Sequence, residues 1–454
     1  MNMNHAIVKD DMTERLTRQI ERLVGGSVTM LDRQPRWRTS WYAEVSRDDR
    51  TIPLYVRGDK GIDAETFPGL AREAGILRLL EQGGIPVPHV YGMSHDPEGI
   101  IMDRVPGTRD VTEAANAAEA QRIAEESVEI LARIHSLDTA PFVAAGVVQP
   151  QSPREIAFSY LTPNIAIFRR LKKTPQPMME WALRWVERNV PQHRTRTCVL
   201  HGDPGQFLFQ NGKITTLYDF EATHIGDPMH DLAALRLRHP TEPLGADPNH
   251  LVRHYARTTG MEIDQKAFSY HTATFMLASS MTLAAPMANP GPVDMQYEYI
   301  VWDILCRRAL LWAIAEHMGV TIPTSAPPEP ADSRSRIVWE ILEATVARID
   351  TGNSELGEND RCSAEKLVQW ARAEAAMRQE HGAADLDRAA AFLGYRPADW
   401  READAAVENF VQTAGPDHDA ILLDYFARQV DDRMAEALPA RERLTQYALQ
   451  PFVP

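Results

Sequence analysis

The sequence predicts an α+β fold, in which a small antiparallel sheet with one packed helix precedes a mainly helical region. Short stretches rich in β-branched and aromatic residues indicate strands at residues 27–31, 41–45 and 53–57. From about residue 112 onward the spacing of apolar residues is helical, with one interruption near residue 200. Because strands that precede a run of helices are typical of α+β proteins, we expect a sheet-based lobe followed by a helical one.

The other elements of the first lobe follow from periodicity and from turn residues. Residues 13–24 have the amphipathic pattern of a helix, and a second helix is expected over residues 66–82. Residues 99–102 are predicted to form a buried strand, which the Val-Pro-Gly sequence at 105–107 ends. We therefore expect an N-terminal lobe over residues 1–107.

The helical region is expected to divide at a proline-rich stretch. Asp227-Pro228 is a favourable helix start, since aspartate caps the N-terminus and proline suits the first helical position. Residues 322–332 contain four prolines and are predicted to be a linker. We therefore expect a second lobe over residues 108–321 and a separate helical extension over residues 333–454.

The composition of the 454-residue chain limits the classes of partner. It has 48 Lys and Arg against 63 Asp and Glu, and the net charge of −15 argues against nucleic acid or an anionic membrane as main partner. The three cysteines are widely spaced, which indicates a reducing compartment rather than a disulfide framework. The N-terminus lacks the pattern of a signal peptide, and no apolar run approaches the ~18 residues needed to cross a bilayer. We therefore expect a cytoplasmic protein.

The densest group of candidate functional residues lies at positions 199–219. A short apolar strand leads into a His-Gly-Asp triplet that ends on Asp203. A hairpin follows, with an Asn-Gly pair at residues 211–212 that suits a type I′ turn, and its second strand ends on Asp219. Asp203 and Asp219 are therefore expected at the same open end of one hairpin. Two carboxylates in this arrangement can hold a divalent cation beside a general base.

This pattern resembles the aminoglycoside phosphotransferase and choline kinase-like family of small-molecule kinases, whose fold is similar to that of protein kinases. The resemblance runs from about residue 27 to about residue 318 and is most specific at the triplet and at Asp219. It implies a bilobal protein kinase-like fold and an ATP-dependent O-phosphotransferase that requires Mg²⁺. The implied partner is a small-molecule alcohol.

The resemblance assigns roles to both aspartates. Asp203 is implied to be the general base for the substrate hydroxyl, and Asp219 to ligate Mg²⁺. The alternative for Asp203 is a turn residue within its Asp-Pro-Gly sequence. His201 matches a residue that mainly supports the loop, with acid–base catalysis as the alternative. The other histidines lack the spacing of a metal site.

One departure from the family concerns the second metal ligand. The family usually has an asparagine five residues after the catalytic aspartate, and this position is Leu208, which cannot bind a cation. The family's asparagine also directly precedes the hairpin strand, and Gln206 does so here. Gln206 is therefore the predicted second ligand. The alternative is that Asp219 holds the metal together with water.

The nucleotide contacts that the resemblance implies lie in the first lobe. Arg57, at the end of its strand, takes the place of the family's phosphate-binding lysine, and Glu73 on the following helix matches its acidic partner. Met102, Asp103 and Val105 match the hinge whose backbone binds adenine. Without the resemblance these positions read as an exposed arginine, a solvated helix face and a strand end.

The loop expected to cover the phosphates, residues 34–40, contains no glycine, so a backbone cradle is weakly supported. Some of its side chains could contact phosphate, and a solvated basic loop is an equally good interpretation. The four candidates are Arg36, Arg38, Thr39 and Ser40.

The implied residues of the second lobe are structural or contact the acceptor. Asp227 and Asp231 fall in the family's Gly-Asp-Pro segment, where a helix cap and a loop brace or substrate contact are expected. Helices after residue 231 should supply acceptor contacts, with Asp294, Glu298 and Trp302 as candidates.

Other functions stay open at this point. The missing asparagine and the glycine-free loop suggest a catalytically inactive nucleotide-binding pseudokinase or an interaction protein, and the presence of Asp203, Asp219 and Arg57 argues against it. A metal hydrolase that uses His201 and the two aspartates is a third hypothesis. Arginine in place of lysine resembles kinases of acyl-CoA metabolism, which favours hydroxy acids or their thioesters over aminoglycosides and choline-like alcohols. The extension could shape the pocket, mediate a homodimer or do neither.

Overall fold

The computed structural model describes residues 11–34, 38–59, 69–288, 296–322, 336–352 and 355–453. The chain forms two compact units. Their described residues fall within 1–149, 198–224 and 244–247 for the first unit, and within 150–197, 225–243 and 248–454 for the second.

The first unit is built on a five-stranded antiparallel sheet with the order β1-β2-β3-β5-β4. Its elements up to residue 149 are α1 (Asp11–Val24), β1 (Ser27–Arg33), β2 (Ser40–Arg47), β3 (Arg50–Gly58), α2 (Leu70–Gln82), β4 (Val90–His95), β5 (Glu98–Asp103), α3 (Ala117–Ile134) and α4 (Ala140–Ala144).

Helix α1 covers one face of the sheet, and Arg57 lies on the other face. Leu16 and Ile20 of α1 are fully buried against Leu54 and Val56 of β3. Because side chains alternate along a strand, Arg57 lies on the opposite face from Val56. The alternation of β3 therefore directs Arg57 away from the apolar core under α1.

The predicted hairpin is present in the first unit and has the expected turn. The hairpin consists of β7 (Phe207–Gln210) and β8 (Lys213–Leu217). Strand β6 (Cys198–Leu200) precedes it and β9 (His224–Gly226) follows it. Asn211 and Gly212 have φ values of 52° and 71°, as a type I′ turn requires. Asparagine and glycine tolerate this left-handed conformation better than other residues, so the pair fixes where the chain reverses.

The predicted strands and helices of the first unit agree with the structure to within a few residues at their ends, but β4 and the short β9 are not predicted. Residues 66–68 of the predicted helix 66–82 lie outside the described residues. The buried positions of β4 are Val90, Gly92 and Ser94. Only one of these three is apolar, so the sequence carries no alternating hydrophobic signal there.

The second unit is helical. Its helices are α5 (Pro153–Ala157), α6 (Leu161–Leu171), α7 (Pro177–Arg188), α8 (Met229–Arg238), α9 (Pro248–Thr259), α10 (Gln265–Ala288), α11 (Gln296–Met318), α12 (Arg336–Val346), α13 (Glu355–Leu393), α14 (Trp400–Thr413), α15 (Asp419–Glu436) and α16 (Arg441–Gln446). Within the described parts of the chain, none of the helices is both long enough and apolar enough to span a membrane.

Helices from the C-terminal third of the chain share a hydrophobic core with earlier helices of the second unit. The ring of Phe426 on α15 lies 5.4 Å from that of Trp181 on α7, and both side chains are buried. Asp419 at the start of α15 accepts hydrogen bonds from Trp181 Nε1 at 2.9 Å and from Arg188 at 2.7 and 2.9 Å. Most of the predicted linker, residues 323–332, lies outside the described residues, so the domain boundary there stays a prediction.

A buried ion pair fixes the start of α8. Asp227 is fully buried and accepts two hydrogen bonds from Arg194, both at 2.7 Å, and one from the Met229 amide at 3.0 Å. Burial alone would raise the pKa of Asp227, but the hydrogen bonds from Arg194, together with the neighbouring His271, outweigh it and the pKa is lowered. The Asp227 carboxylate therefore accepts the first amide of α8, although the helix begins at Met229 and Pro228, not Asp227 as predicted, lies at its N-cap position.

We expect Phe426→Ala to destabilise the second unit by about 3–5 kcal/mol, because it removes a buried aromatic ring and leaves a cavity beside Trp181. Urea unfolding followed by tryptophan fluorescence measures the change. Tyr395→Ala removes a half-exposed ring and is the control, for which little change is expected. Equal losses in the two variants would contradict a shared core.

Asp227→Asn should lower the free energy of unfolding by about 3 kcal/mol at neutral pH, because it leaves Arg194 without its buried counter-charge. The folded-state pKa of Asp227 is depressed, so its contribution is present above the unfolded pKa of ~3.9 and is lost as the pH falls below that value. The difference between wild type and variant should therefore shrink on acidification below about pH 4. Urea unfolding at several pH values tests this, with the exposed Asp387–Arg396 pair and Asp387→Asn as control. A difference independent of pH would contradict it.

Candidate functional site

The candidate site lies within the first unit, at the loop that follows β6. His201 is fully buried there, and its Nε2 lies 3.1 Å from the Tyr218 carbonyl. Its Nδ1 accepts the Asp203 amide at 3.3 Å, so Nε2 carries the proton that is donated to Tyr218. Both ring nitrogens of His201 therefore form hydrogen bonds with backbone groups. This supports the interpretation of His201 as a residue that shapes the loop.

Gly202 allows the loop to approach a neighbouring segment closely. Its φ is +90°, and a Cβ at this position would lie 2.2 Å from the Ala222 carbonyl oxygen. Both the left-handed conformation and the lack of space require glycine. The glycine of the triplet therefore brings the loop of Asp203 against the segment after Asp219.

Asp203 is held by the amide of Gln206. Gln206 Nε2 donates to Asp203 Oδ2 at 3.0 Å and lies 3.3 Å from the Asp203 carbonyl. The Gln206 carbonyl in turn accepts the Tyr218 amide at 3.1 Å, which ties the loop to the end of β8. Since the amide nitrogen faces Asp203, the amide oxygen is the end of this side chain that is able to bind a cation.

Asp219 occupies a left-handed conformation with φ 66° and ψ 56°. Aspartate is one of the few residues other than glycine that adopts this region readily. The next residue, Phe220, is fully buried with its ring 4.3 Å from that of His201. After the turn at Asp219, the Phe220 side chain therefore packs against His201, while the Asp219 carboxylate contacts Arg57.

Arg57 joins the sheet, helix α2 and Asp219. Its Nε donates to Glu73 at 3.0 Å, and its Nη2 donates to Asp219 Oδ1 at 2.5 Å and to Glu221 Oε2 at 3.0 Å. Burial alone would lower the pKa of this guanidinium, but the carboxylates of Glu73, Asp219 and Glu221 outweigh it and raise the pKa well above its ordinary value. The structure therefore brings the predicted Arg57, Glu73 and Asp219 into one chain of ion pairs.

Glu73 is the buried end of this chain. Its side chain is only 4% exposed, and burial raises its pKa, although Arg57 and Arg38 oppose that shift. A buried carboxylate is retained where a cation compensates it. Glu73 is thus a fixed counter-charge for Arg57 and does not belong to a solvated helix face.

Two further charged residues join the site. Arg38 is buried and pairs with Glu221, and its Nη1 lies 3.9 Å from Glu73. A solvated loop is therefore the wrong interpretation for Arg38, and Arg36 lies outside the described residues. Glu221 was not predicted. Its position two residues after Asp219, directly beyond a buried phenylalanine, was the available signal.

The predicted hinge residues lie at the end of β5. Met102 is buried and pairs with Tyr55 across the sheet. The Asp103 amide donates to the His89 carbonyl at 3.0 Å, and the Arg104 amide donates to the Pro53 carbonyl at 3.0 Å. These bonds fix the backbone up to Arg104, so Val105 follows on a rigid strand end.

The remaining sequence candidates lie in the second unit or outside the described residues. Asp231 is fully buried on α8, while Asp294 lies outside the described residues. Glu298 pairs with Arg443 at 2.8 Å, and Trp302 is 37% exposed. Across the described ranges, no group of three or more His, Cys, Asp or Glu residues is arranged to hold a metal ion.

The sequence model of the phosphotransferase enzyme family, APH, matches residues 34–262. The chain belongs to this family. The matched range includes Asp203 and Gln206. It also includes the five charged residues of the ion-pair cluster, which are Arg38, Arg57, Glu73, Asp219 and Glu221. Family membership and the observed elements confirm the predicted fold class, a protein kinase-like α+β fold with a sheet-based N-terminal part, a mainly helical C-terminal part and additional C-terminal helices. No curated protein matches the sequence.

Several solved structures of small-molecule phosphotransferases are similar to this family member. A provisionally assigned aminoglycoside phosphotransferase from Ralstonia eutropha JMP134 is 18% identical, with a TM-score of 0.49 over 68% of this chain and 96% of that one. A thermostable mutant of aminoglycoside phosphotransferase APH(4)-Ia, in a ternary complex with ADP and hygromycin B, is 17% identical, with a TM-score of 0.47 over 64% and 96%. A macrolide 2′-phosphotransferase from Brachybacterium faecium is 17% identical, with a TM-score of 0.43 over 61% and 99%.

Gly202→Ala should lower the free energy of unfolding by about 1–3 kcal/mol more than Gly146→Ala does. The reason is that the methyl group added at position 202 meets a backbone oxygen, whereas the one added at position 146 does not. Gly146 is the matched control, since its φ of +91° carries the same left-handed cost and nothing lies within 4 Å of the added Cβ. Urea unfolding of both variants measures the difference. Equal losses would show that the close approach to Ala222 contributes nothing.

Proposed function

We propose that this protein is an ATP-dependent O-phosphotransferase that transfers the γ-phosphoryl group to a hydroxyl of a small molecule, with Mg²⁺. The observation that carries the proposal is the chain of ion pairs from Glu73 through Arg57 to Asp219, beside an Asp203 carboxylate that Gln206 holds. Family membership supports the reaction class. The protein's part in such a reaction is to position groups and compensate charge.

The residues at the site fit Mg²⁺. Mg²⁺ is commonly held by one or two carboxylates together with water and substrate phosphates, rather than by a full protein cage. The Asp219 carboxylate and the amide oxygen of Gln206 are donors of this kind, and we propose them as the metal ligands. When bound, Mg²⁺ would neutralise the negative charge that develops on the transferred phosphoryl group.

Arg57 is proposed to bind the phosphates. Its guanidinium is always charged and presents a planar fork of donors, which suits phosphate oxygens. Glu73 holds the Nε side of this fork at 3.0 Å and is itself buried, so the Nη side is the one directed at the open carboxylates. Glu73 therefore orients Arg57 and compensates its charge inside the protein.

Asp203 is proposed to be the general base. Its carboxylate would accept the acceptor hydroxyl proton while the new oxygen–phosphorus bond forms and the bond between the γ-phosphorus and the β,γ-bridging oxygen breaks. The hydrogen bond from Gln206 Nε2 to Oδ2 fixes one carboxylate oxygen at 3.0 Å. The other oxygen can then face the hydroxyl.

Adenine is proposed to bind at the backbone of the hinge. The amides of Asp103 and Arg104 already donate within the sheet, so the Asp103 carbonyl and the Val105 amide are the groups proposed for the base, with Met102 packed behind them. We expect the activity in the cytoplasm, where ATP is abundant and the free thiols of the chain stay reduced.

Asp203→Asn should lower kcat for phosphoryl transfer by about 10³-fold, because the amide cannot accept the hydroxyl proton. ADP affinity should stay close to that of wild type, since the side-chain oxygen of asparagine can still accept the hydrogen bond from Gln206 Nε2 and keep Gln206 in place. A mass-spectrometric screen for phosphorylated products in a mixed alcohol library, with ATP and Mg²⁺, identifies the acceptor and gives the rate.

The exposed Asp138→Asn is the control, because Asp138 only accepts the Ala140 amide at 3.0 Å. Equal rates for wild type and Asp203→Asn would contradict the role of Asp203. Turnover that does not need nucleotide would instead favour the metal hydrolase. ADP binding without any transfer across the library would favour the inactive nucleotide-binding protein.

A further inference from the structure

Glu221 occupies a position between two arginines that would suit a phosphate oxygen. Its Oε2 accepts from Arg57 Nη2 at 3.0 Å and also pairs with Nη2 of Arg38. The side chains of Arg38 and Arg57 are 6% and 13% exposed, whereas that of Glu221 is 25% exposed. The carboxylate is therefore the accessible member of this group, and the two guanidinium groups behind it form a clamp for an anion.

Glu221 also lies next to the proposed metal ligand. Asp219 Oδ1 and Glu221 Oε2 both accept from the same Nη2 of Arg57, at 2.5 and 3.0 Å. The two oxygens therefore lie within a few ångströms of each other, so that a movement of the side chains can bring both to one divalent cation. Asp219 is 28% exposed, much like Glu221, while Glu73 on the other side of the arginines is 4% exposed. Asp219 and Glu221 are thus exchangeable partners of Arg57, and Glu73 is the fixed one.

The charge of this cluster opposes a nucleotide that arrives without a metal. The carboxylates of Glu73, Asp219 and Glu221 already compensate the guanidinium groups of Arg38 and Arg57 in the free protein. A polyphosphate must displace carboxylates from the arginines and leave them without a counter-charge, which is costly at a partly buried site. A divalent cation that takes up both displaced carboxylates removes this cost.

We propose that Glu221 holds the phosphate position between Arg38 and Arg57 in the free protein and moves to the metal, beside Asp219, when Mg²⁺-nucleotide binds. Arg38 and Arg57 then form a two-arginine phosphate clamp. This inference rests on the proposed function and adds a residue and a mode of control to it. Because coupling between two ligands is reciprocal, Mg²⁺ raises nucleotide affinity by the same factor by which the nucleotide raises Mg²⁺ affinity.

Calorimetric titration of the full-length protein with ADP, once with Mg²⁺ and once with EDTA, tests this exchange. In Glu221→Gln the competing charge is absent, so we expect metal-free ADP to bind about tenfold more tightly than to wild type. The increase in ADP affinity on adding Mg²⁺ should be about tenfold smaller in this variant. The control is Glu98→Gln, which removes an exposed carboxylate at the start of β5. It should show the wild-type coupling.

Mn²⁺ binding, measured by electron paramagnetic resonance in the presence of ADP, gives a second readout. Glu221→Gln should weaken Mn²⁺ binding in the ADP complex by about tenfold, since one carboxylate ligand is lost. A purely structural role of Glu221 would instead weaken ADP binding by the same factor with and without metal. That result, or unchanged coupling, would overturn the exchange.

Arg38→Gln tests the clamp independently of Glu221. We expect it to weaken Mg²⁺-ADP binding about tenfold, while Arg50→Gln, at the exposed start of β3, has no effect. Unchanged ADP affinity in Arg38→Gln would overturn the two-arginine clamp. If wild type binds ADP under neither condition, the proposed function fails as a whole. If wild type binds ADP and Glu221→Gln leaves the coupling intact, only the exchange fails.

Discussion

The rest of the site depends on the ion pairs that the Arg57 guanidinium forms with its neighbouring carboxylates. This guanidinium connects β3 and the following helix, α2, to the turn at Asp219, which lies 162 residues further along the chain than Arg57. Removing one partner from a buried ion pair leaves a charge without compensation, which costs far more than an exposed pair gains. The positions of α2 and of the turn are therefore held by electrostatics as well as by apolar packing. A cation with several donors is needed here, since Nε and Nη2 bond different carboxylates.

Much of the fold follows from local sequence signals. Stretches rich in β-branched and aromatic residues predict β1, β2 and β3, and the Asn-Gly pair at 211–212 predicts the hairpin and its reversal. These signals are local because they depend on residues that are neighbours in the sequence. Strand β4 has no such signal, since Gly92 and Ser94 occupy its buried positions and its place is decided by pairing with β5. Such pairing is a tertiary effect that one stretch of sequence does not reveal.

The site was predictable only where a motif marks it. The spacing of Asp203 and Asp219 around the hairpin indicates two carboxylates at one end, and the structure places both in the first unit. Glu221 carries no such mark, because a glutamate near a turn is an ordinary surface residue in most proteins, and the sequence does not distinguish Arg38 from the other three candidates in its loop. Their pairing appears only when the chain is folded. The catalytic and metal roles of all these residues stay proposals that the experiments above test.

The left-handed backbone of Asp219 has a consequence for how its charge can be studied. At φ 66° an alanine would add backbone strain of about 1–3 kcal/mol to the loss of the carboxylate, so the two effects would be mixed in any rate or affinity that is measured. Asparagine has nearly the same shape and tolerates this conformation. It is thus the replacement that separates electrostatics from geometry at this turn. The same conformational preference limits the side chains that evolution could place there without rebuilding the turn.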